Sequence, residues 1–299
     1  MRAPVDASRR LLVHRIAENW KEGSVAPYTP ESMRWRGSWA GSCARQVAYK
    51  TLHVEESNPS TLAEYWNMGL GSVVHELLEP AVQKWIANSP GLTAEEEADV
   101  TFDSEGYGHV DLVLKTEEGK TIVCELKTIN GFGYKQAVEN HEGPKHNHLL
   151  QGSLYARALN ADMLVIGYLA KELISPSRAK AKGIDDIGRF AAEWHYNQDE
   201  FMPLAIEEEL RLSAITTEAH KHKDPTVIPP RFSKSDPDIP FPAEVIQPSR
   251  GRWELREVGI EGGFNVVNAG NTWQCNYCNY QERCGTDLLH AESAETYYG

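Results

Sequence analysis

In a β-strand, side chains at i and i+2 share a face, so Glu125 and Lys127 of TIVCELK project together while Cys124 and Leu126 point to the opposite side. A carboxylate and an amine therefore meet in one place. Asp111 lies on the preceding strand-like run, GHVDLVLK, and the turn Glu117-Glu118-Gly119-Lys120 lets the two runs pair so that Asp111 lies near Glu125. Two carboxylates side by side repel unless a cation binds between them, and hard oxygen ligands suit Mg2+ or Mn2+. Such an ion polarises a phosphate and lowers the pKa of a bound water, while an amine placed like Lys127 positions that water or stabilises developing negative charge. Spacing alone fits an ordinary exposed ion pair equally well. The setting has to decide.

His75, in GSVVHELLEP, stands on a helix-like stretch before these strands, where a neutral imidazole can complete a metal shell. Gln151 and Tyr155 are four apart in HLLQGSLYARAL, hence on one helical face, where an amide and a phenol can both reach a phosphate or the lysine. Cys275, Cys278 and Cys284 form C-x2-C-x5-C, and three thiolates so close need one more ligand to close a tetrahedral site. Cys124 is a poor fourth because its side chain should face the core beside Glu125. That leaves Cys43, in GSCARQVAY. Four cysteines fit either zinc or an iron-sulfur cluster, and spacing alone favours zinc.

The elements that must position these groups are legible as periodicity. Residues 5–20 alternate apolar and basic positions at helical spacing, and residues 61–88 read as a long helix containing Pro80. A meander of strands follows at Ala98–Phe102, Gly108–Lys115 and Thr121–Lys127, then helices at 132–140 and 147–160 and an apolar strand from Met163 to Ala170. Residues 198–222 read as helix. Seven prolines between 223 and 250 argue against regular structure there, and 251–270 has the pattern of a strand pair. Strands alternating with helices predict an α/β fold, a mixed sheet flanked by helices. We expect one elaborated domain over 1–299: a helical arm at 1–95 with Cys43 and His75, a core at 96–222, a Pro-rich insertion at 223–270, and a cysteine region at 271–299.

With 299 residues and 41% hydrophobic content, the chain can build a sizeable core. No apolar run is of the signal-peptide or membrane-spanning kind, so a cytoplasmic protein without a membrane partner is expected. The net charge of −13 is uneven: residues 1–50 carry nine Lys/Arg against four acids, which leaves the rest at −18. A second basic group, Lys171, Arg178, Lys180 and Lys182, follows the apolar strand; both groups are candidate contacts for an anionic polymer. Trp35, Trp39 and Trp66, and with them Tyr107 and Tyr134, are candidate base-stacking platforms, with packing the competing role for each. The GxxxxGK phosphate loop of a helicase motor is absent.

The ordered motifs GxxxHE (Gly71 to Glu76), GHVDLVL, CELKT and HxxQxxxY (His148 to Tyr155) resemble the PD-(D/E)XK nuclease superfamily in its RecB-like branch. The resemblance covers roughly residues 35–170 and the C-terminal cysteines. One departure is Val110 where the first motif commonly has proline. The resemblance implies a restriction-endonuclease-like core in which His75, Asp111, Glu125 and the Leu126 carbonyl bind Mg2+ or Mn2+. It makes Lys127 the catalytic lysine and has Gln151 and Tyr155 support catalysis. Cys43 followed by Arg45, with W-x-C-x2-C-x5-C at the other end, is similar to the iron-sulfur subgroup, which includes CRISPR-associated exonucleases and phage-encoded relatives. There a [4Fe-4S] cluster, rather than structural zinc, ties Cys43 to Cys275, Cys278 and Cys284. The implied activity is exonucleolytic cleavage of single-stranded DNA or DNA ends, with Arg45, His148, Lys171, Arg178, Lys180 and Lys182 as candidate DNA contacts. The rivals are a structure-specific or partner-directed endonuclease and a non-catalytic DNA-binding or assembly protein. A helicase, recombination or CRISPR-adaptation partner and a homo-oligomer are the candidate assemblies. If the chain is phage-encoded, the compartment is the host cytoplasm.

Overall fold

A computed structural model describes residues 35–228, 244–246, 254–258, 264–266 and 277–291. The expected helix at 5–20 lies outside the described residues. Six strands form the main sheet: β1 (Trp35–Arg36), β2 (Thr93–Thr101), β3 (Gly106–Lys115), β4 (Thr121–Ile129), β5 (Met163–Ala170) and β6 (Ala191–Asn197). β2, β3 and β4 are an antiparallel meander, β4 and β5 run parallel, β6 is antiparallel to β5, and β1 adds two residues parallel to the start of β3. A parallel pair needs a crossover, and the helices α3 (Gly131–Glu139) and α4 (His146–Ala158) supply it between β4 and β5. The sheet is therefore mixed, and helices flank it.

Four more helices complete the main body: α1 (Ala44–Thr51), α2 (Leu62–Ala87), α5 (Pro176–Lys182) and α6 (Gln198–His222). One sheet face packs on α4 and α6. On α6, Phe201, Leu212, Ile215 and Ala219 recur at helical spacing and are all buried in the principal core with Leu150 and Leu154 of α4. The Asn197 side chain accepts from Glu200 N–H while Glu200 accepts from Asn197 N–H, a capping box that starts α6 where β6 ends. A smaller cluster of Leu112, Leu114 and Cys124 packs against Val82 and Ile86 of α2. Thr61 and Glu64 form a second capping box, and α2 then runs unbroken past Pro80 without one fully buried residue.

Within the described residues, the expected strands and the helices at 61–88, 132–140, 147–160 and 198–222 are present, each within a few residues. Five elements were not foreseen: β1, α1, α5, β6 and the C-terminal helix Gln281–Ala291. The sequence AAEWHYN of β6 mixes polar and apolar residues as an edge strand does, and only its pairing with β5 identifies it. The Pro-rich stretch needs a correction. It contains a 3-10 turn at Pro225–Val227 and a strand, β7 (Glu244–Ile246), between its prolines. β7 pairs with β8 (Glu254–Val258), which pairs with β9 (Phe264–Val266), so the expected strand pair extends into a small antiparallel sheet. The last described element is α7 (Gln281–Ala291). No described helix is long and apolar enough to cross a membrane.

Candidate active site

The ladder between β3 and β4 runs from Lys115↔Thr121 to Leu112↔Cys124. The next step would pair Asp111 with Glu125, and there the strands part. The backbone N–H of Leu126, released from the ladder, donates to Asp111 Oδ2 at 2.6 Å. Asp111 is thereby fixed through one oxygen and left with the other.

Glu125 lies deeper. Its side chain is 0% exposed, beneath Gly152 of α4, where a Cβ would stand 3.4 Å from Glu125 Cβ. Lys127 pairs with its Oε1, and Oε2 is buried with no hydrogen-bond partner. Burial pushes the Glu125 carboxyl up to about 8, against the pull of Lys127 and with a further push from Asp111. Burial would lower the Lys127 amine, but Glu125 and Asp111 outweigh it and hold it raised, so Lys127 is the cation here.

Helix α2 delivers the imidazole. Asn67, Gly71 and His75 are four apart and share a face. Lys171, at the end of β5, donates to the Asn67 carbonyl at 2.7 Å and to its side chain at 2.6 Å. At Gly71 a Cβ would stand 3.2 Å from Thr128 Oγ1, so the absence of a side chain sets how closely α2 crosses β4. One turn later, His75 Nδ1 lies 3.7 Å from Asp111 Oδ1 and 4.0 Å from Glu97 Oε1. Among the described residues, His75, Glu97 and Asp111 are the one set of three such side chains whose ligand atoms all lie within 4.8 Å of one another.

Glu97 is the functional candidate that sequence reasoning missed. The β2–β3 register pairs Glu96 with Leu112 and Ala98 with Val110, which puts Glu97 opposite Asp111. The expected strand began at Ala98, one residue too late to include it. A hairpin centred on Ser104 carries the signal, because 97 and 111 are equidistant from it.

On α4, Gln151 Nε2 donates to Tyr155 Oη at 3.2 Å, and Tyr155 is buried between Gly37 and Gly108. Burial raises the Tyr155 phenol, and Glu125 adds to that rise, which keeps it a neutral donor near the carboxylates. Tyr168 Oη accepts from Lys145 N–H at 2.7 Å and lies 2.7 Å from His148 Nδ1. Burial, then Lys127 and Lys145, drive His148 down to about 3. It is a neutral member of this wall, not a cationic phosphate contact.

Other expected DNA contacts also find different surroundings. Arg45 is 1% exposed and donates to the carbonyls of Ile228 and Thr226, so burial removes it from any solvent-facing surface. Arg178 is engaged by both oxygens of Glu139, and Lys171 by Asn67. Lys180 and Lys182 remain exposed. Trp35, Trp39 and Tyr134 belong to the core, leaving Trp66 exposed and Tyr107 hydrogen-bonded to His109.

Of the expected cluster ligands, Cys43, Cys278 and Cys284 are among the described residues. Cys43 is the N-cap of α1, and α7 docks on that helix through Tyr49 Oη to Asp287 at 2.6 Å and Tyr49 stacked on Tyr280. Burial raises the Cys278 thiol to about 11 and that of Cys284 to about 12, and Cys43 acts on both. Arg45 hydrogen-bonds Cys284. Cys275 lies outside the described residues. Cys124 is buried against Leu112 and Leu114, away from this group.

A buried carboxylate paired with lysine, a second carboxylate across the ladder and an imidazole above them define a hydrolytic class of site on this mixed sheet. The chain matches the PD-(D/E)XK nuclease superfamily over residues 4–285, and it belongs to that superfamily. No curated protein matches it. Among solved structures, SSO0001 is similar at 16% identity and a TM-score of 0.47, covering 92% of this chain and 96% of that one. An alkaline exonuclease from Laribacter hongkongensis has 13% identity, a TM-score of 0.41, and coverage of 69% and 93%. A phage-related exonuclease from Haemophilus somnus 129PT has 13%, 0.40, and coverage of 60% and 82%.

Proposed function

We propose that this nuclease is a Mg2+- or Mn2+-dependent deoxyribonuclease that hydrolyses phosphodiester bonds, working exonucleolytically on single-stranded DNA or DNA ends. The observation that carries the metal reading is Glu125, a fully buried carboxylate with an unpartnered oxygen beside Asp111. Burying such a group is costly unless its charge is used. The donor set fits a hard divalent ion, and the adjoining cavity of about 280 Å³ is lined by five carboxylates and His75, with no Lys or Arg. His75, Asp111, Glu125 and the Leu126 carbonyl would hold the ion. When bound, it supplies Lewis acidity to the phosphate and acidity to a coordinated water.

The chain's own residues do the rest. The Leu126 N–H holds Asp111 in one orientation, so its free oxygen is aimed before any ligand arrives. Lys127, kept protonated, stabilises negative charge developing on the phosphoryl oxygens or orients the attacking water. Gln151 and Tyr155 present neutral donors from α4 on the same side. DNA as substrate and attack at ends rest on the family resemblance of the motifs. Cleavage of end-labelled linear DNA and of circular single-stranded DNA in Mn2+ tests both. We expect linear DNA to be degraded, circles to survive, and Lys127→Ala to lose at least ~100-fold in rate. Cut circles would replace the exonuclease reading with an endonuclease; no metal-dependent cleavage of any DNA would end the enzyme reading.

We also infer that Cys43, Cys275, Cys278 and Cys284 hold a [4Fe-4S] cluster that staples α7 to α1. Docking of α7 on α1 and the mutual influence of the three described thiols support it.

A further inference from the structure

Three chain segments meet at the end of the sheet just beyond Lys127, and each leaves large apolar side chains in solvent. Lys171 N–H donates to the Ile129 carbonyl at 2.8 Å, which closes the parallel β4–β5 pair two residues past Lys127. Gly131, where α3 begins, has no side chain to hold its neighbour off: a Cβ there would stand 3.0 Å from Glu172 Cβ. Phe132 and Leu173 follow on adjoining positions, both exposed, Phe132 to 74%. From the other side, Ala170 N–H donates to the Phe190 carbonyl at 2.7 Å and Ile174 N–H to the Arg189 carbonyl at 3.0 Å. These bonds tie the 3-10 turn Ile187–Arg189 to the same end of the sheet, and Ile187 and Phe190 are exposed there too. One exposed apolar side chain needs no partner, but four at one rim form a patch of the kind that marks a binding surface.

Charge indicates what covers it. The chain as a whole carries −13, yet residues 171–190 hold five Lys/Arg against three acids. Arg189 is paired with Asp186 at 2.6 Å and Arg178 with Glu139, while Lys180 and Lys182 of α5 stay exposed. Aromatic rings beside lysines suit a polymer that is anionic along its backbone and flat along its bases. In a duplex the bases cover one another; in a single strand their faces are open to such rings. We propose that Phe132, Leu173, Ile187 and Phe190 form a platform on which unpaired bases of the substrate strand stack, with Lys180 and Lys182 holding its phosphates. A strand leaving this platform meets β4 at the Lys127 end. The proposal rests on the nuclease reading above, and it goes further by naming the surface that selects a single strand over a duplex.

The test is fluorescence anisotropy on the whole protein in EDTA at low salt, where no metal-dependent cut occurs, with two labelled strands of equal length. One is oligo-dT; the other is abasic, with the same phosphates and no bases. Wild type should bind oligo-dT the more tightly. Phe132→Ala should weaken oligo-dT at least ~5-fold, the loss of one stacked base, without moving the abasic strand, and Phe132→Trp should restore the affinity. The double variant Lys180→Gln, Lys182→Gln should weaken both strands alike. Thermal melting verifies that each variant is folded. Equal binding of the two strands by wild type overturns the proposal, as does a Phe132→Ala variant that binds oligo-dT as wild type does. If that variant instead turns a dimer into a monomer in sedimentation with DNA affinity unchanged, the patch is a protein interface and the proposal fails. Cleavage assays separate this from the enzyme reading. Wild type that cuts DNA while Phe132→Ala binds it normally refutes only the platform; a strand held through Phe132 by a protein that cuts nothing refutes only the nuclease.

Discussion

Gly108, which opens the GHVD run, offers a sharp test of how the catalytic wall is packed. A Cβ there would stand 2.5 Å from Tyr155 Cε1 and 2.8 Å from its Oη, against the roughly 3.5–4.0 Å at which such atoms rest. The ring cannot retreat. A Cβ on Gly37 would meet the same ring at 2.4 Å, so that glycine already lies in close contact, and Phe102 stacks nearby with centroids 6.1 Å apart. Gly108→Ala therefore displaces Tyr155 by about 1 Å. Overpacking of this kind costs about 1–3 kcal/mol, or roughly 2–4 °C in Tm per kcal/mol for a large domain. The same shift disturbs the 3.2 Å contact between Gln151 and Tyr155, and a misplacement near 1 Å is worth on the order of 100-fold in rate. Thermal denaturation should be run on Gly108→Ala, Tyr155→Leu and the double variant. The smaller side chain leaves room that alanine fills, so the two should couple by at least ~1 kcal/mol. Additivity within ~0.5 kcal/mol, or a Gly108→Ala variant as stable as wild type, would refute the packing argument.

Two further outcomes follow from the charges and thiols. In EDTA, the folded protein holds the Glu125 proton up to about pH 8 while the unfolded chain releases it near 4.5. Between those values the folded state binds more protons, so stability falls as pH rises, by at most about 1.4 kcal/mol per pH unit. Denaturant titrations from pH 5 to 8 should show a steeper loss for wild type than for Glu125→Gln, and Mn2+ should abolish the difference; parallel pH profiles would contradict it. Cys43→Ser should release iron and free α7 to proteolysis, whereas Cys124→Ser, buried among leucines, should retain the brown colour and the iron. A colourless protein with stoichiometric zinc would sink the cluster assignment.

What the sequence determined by itself are the features that local spacing encodes. The two-residue period of a strand put Glu125 and Lys127 together and Cys124 on the opposite, core side, and the periodic run at 61–88 defined the helix that carries His75. The crowding of three cysteines near one end also pointed to a ligand group before any contact was visible. Tertiary structure decided whatever depends on where distant segments cross. Glu97 became a partner of His75 and Asp111 through a register and a left-handed backbone position that no local pattern announces. Arg45 and Trp35, residue types expected at a nucleic-acid surface, were drawn inside by the Ile228 and Thr226 carbonyls and by Phe102. The edge strand β6 has too mixed a pattern to stand alone and exists because β5 offers it a ladder. Periodicity tells which side chains share a face; only the folded chain tells what that face meets, because burial and pairing energies belong to contacts between segments far apart in sequence.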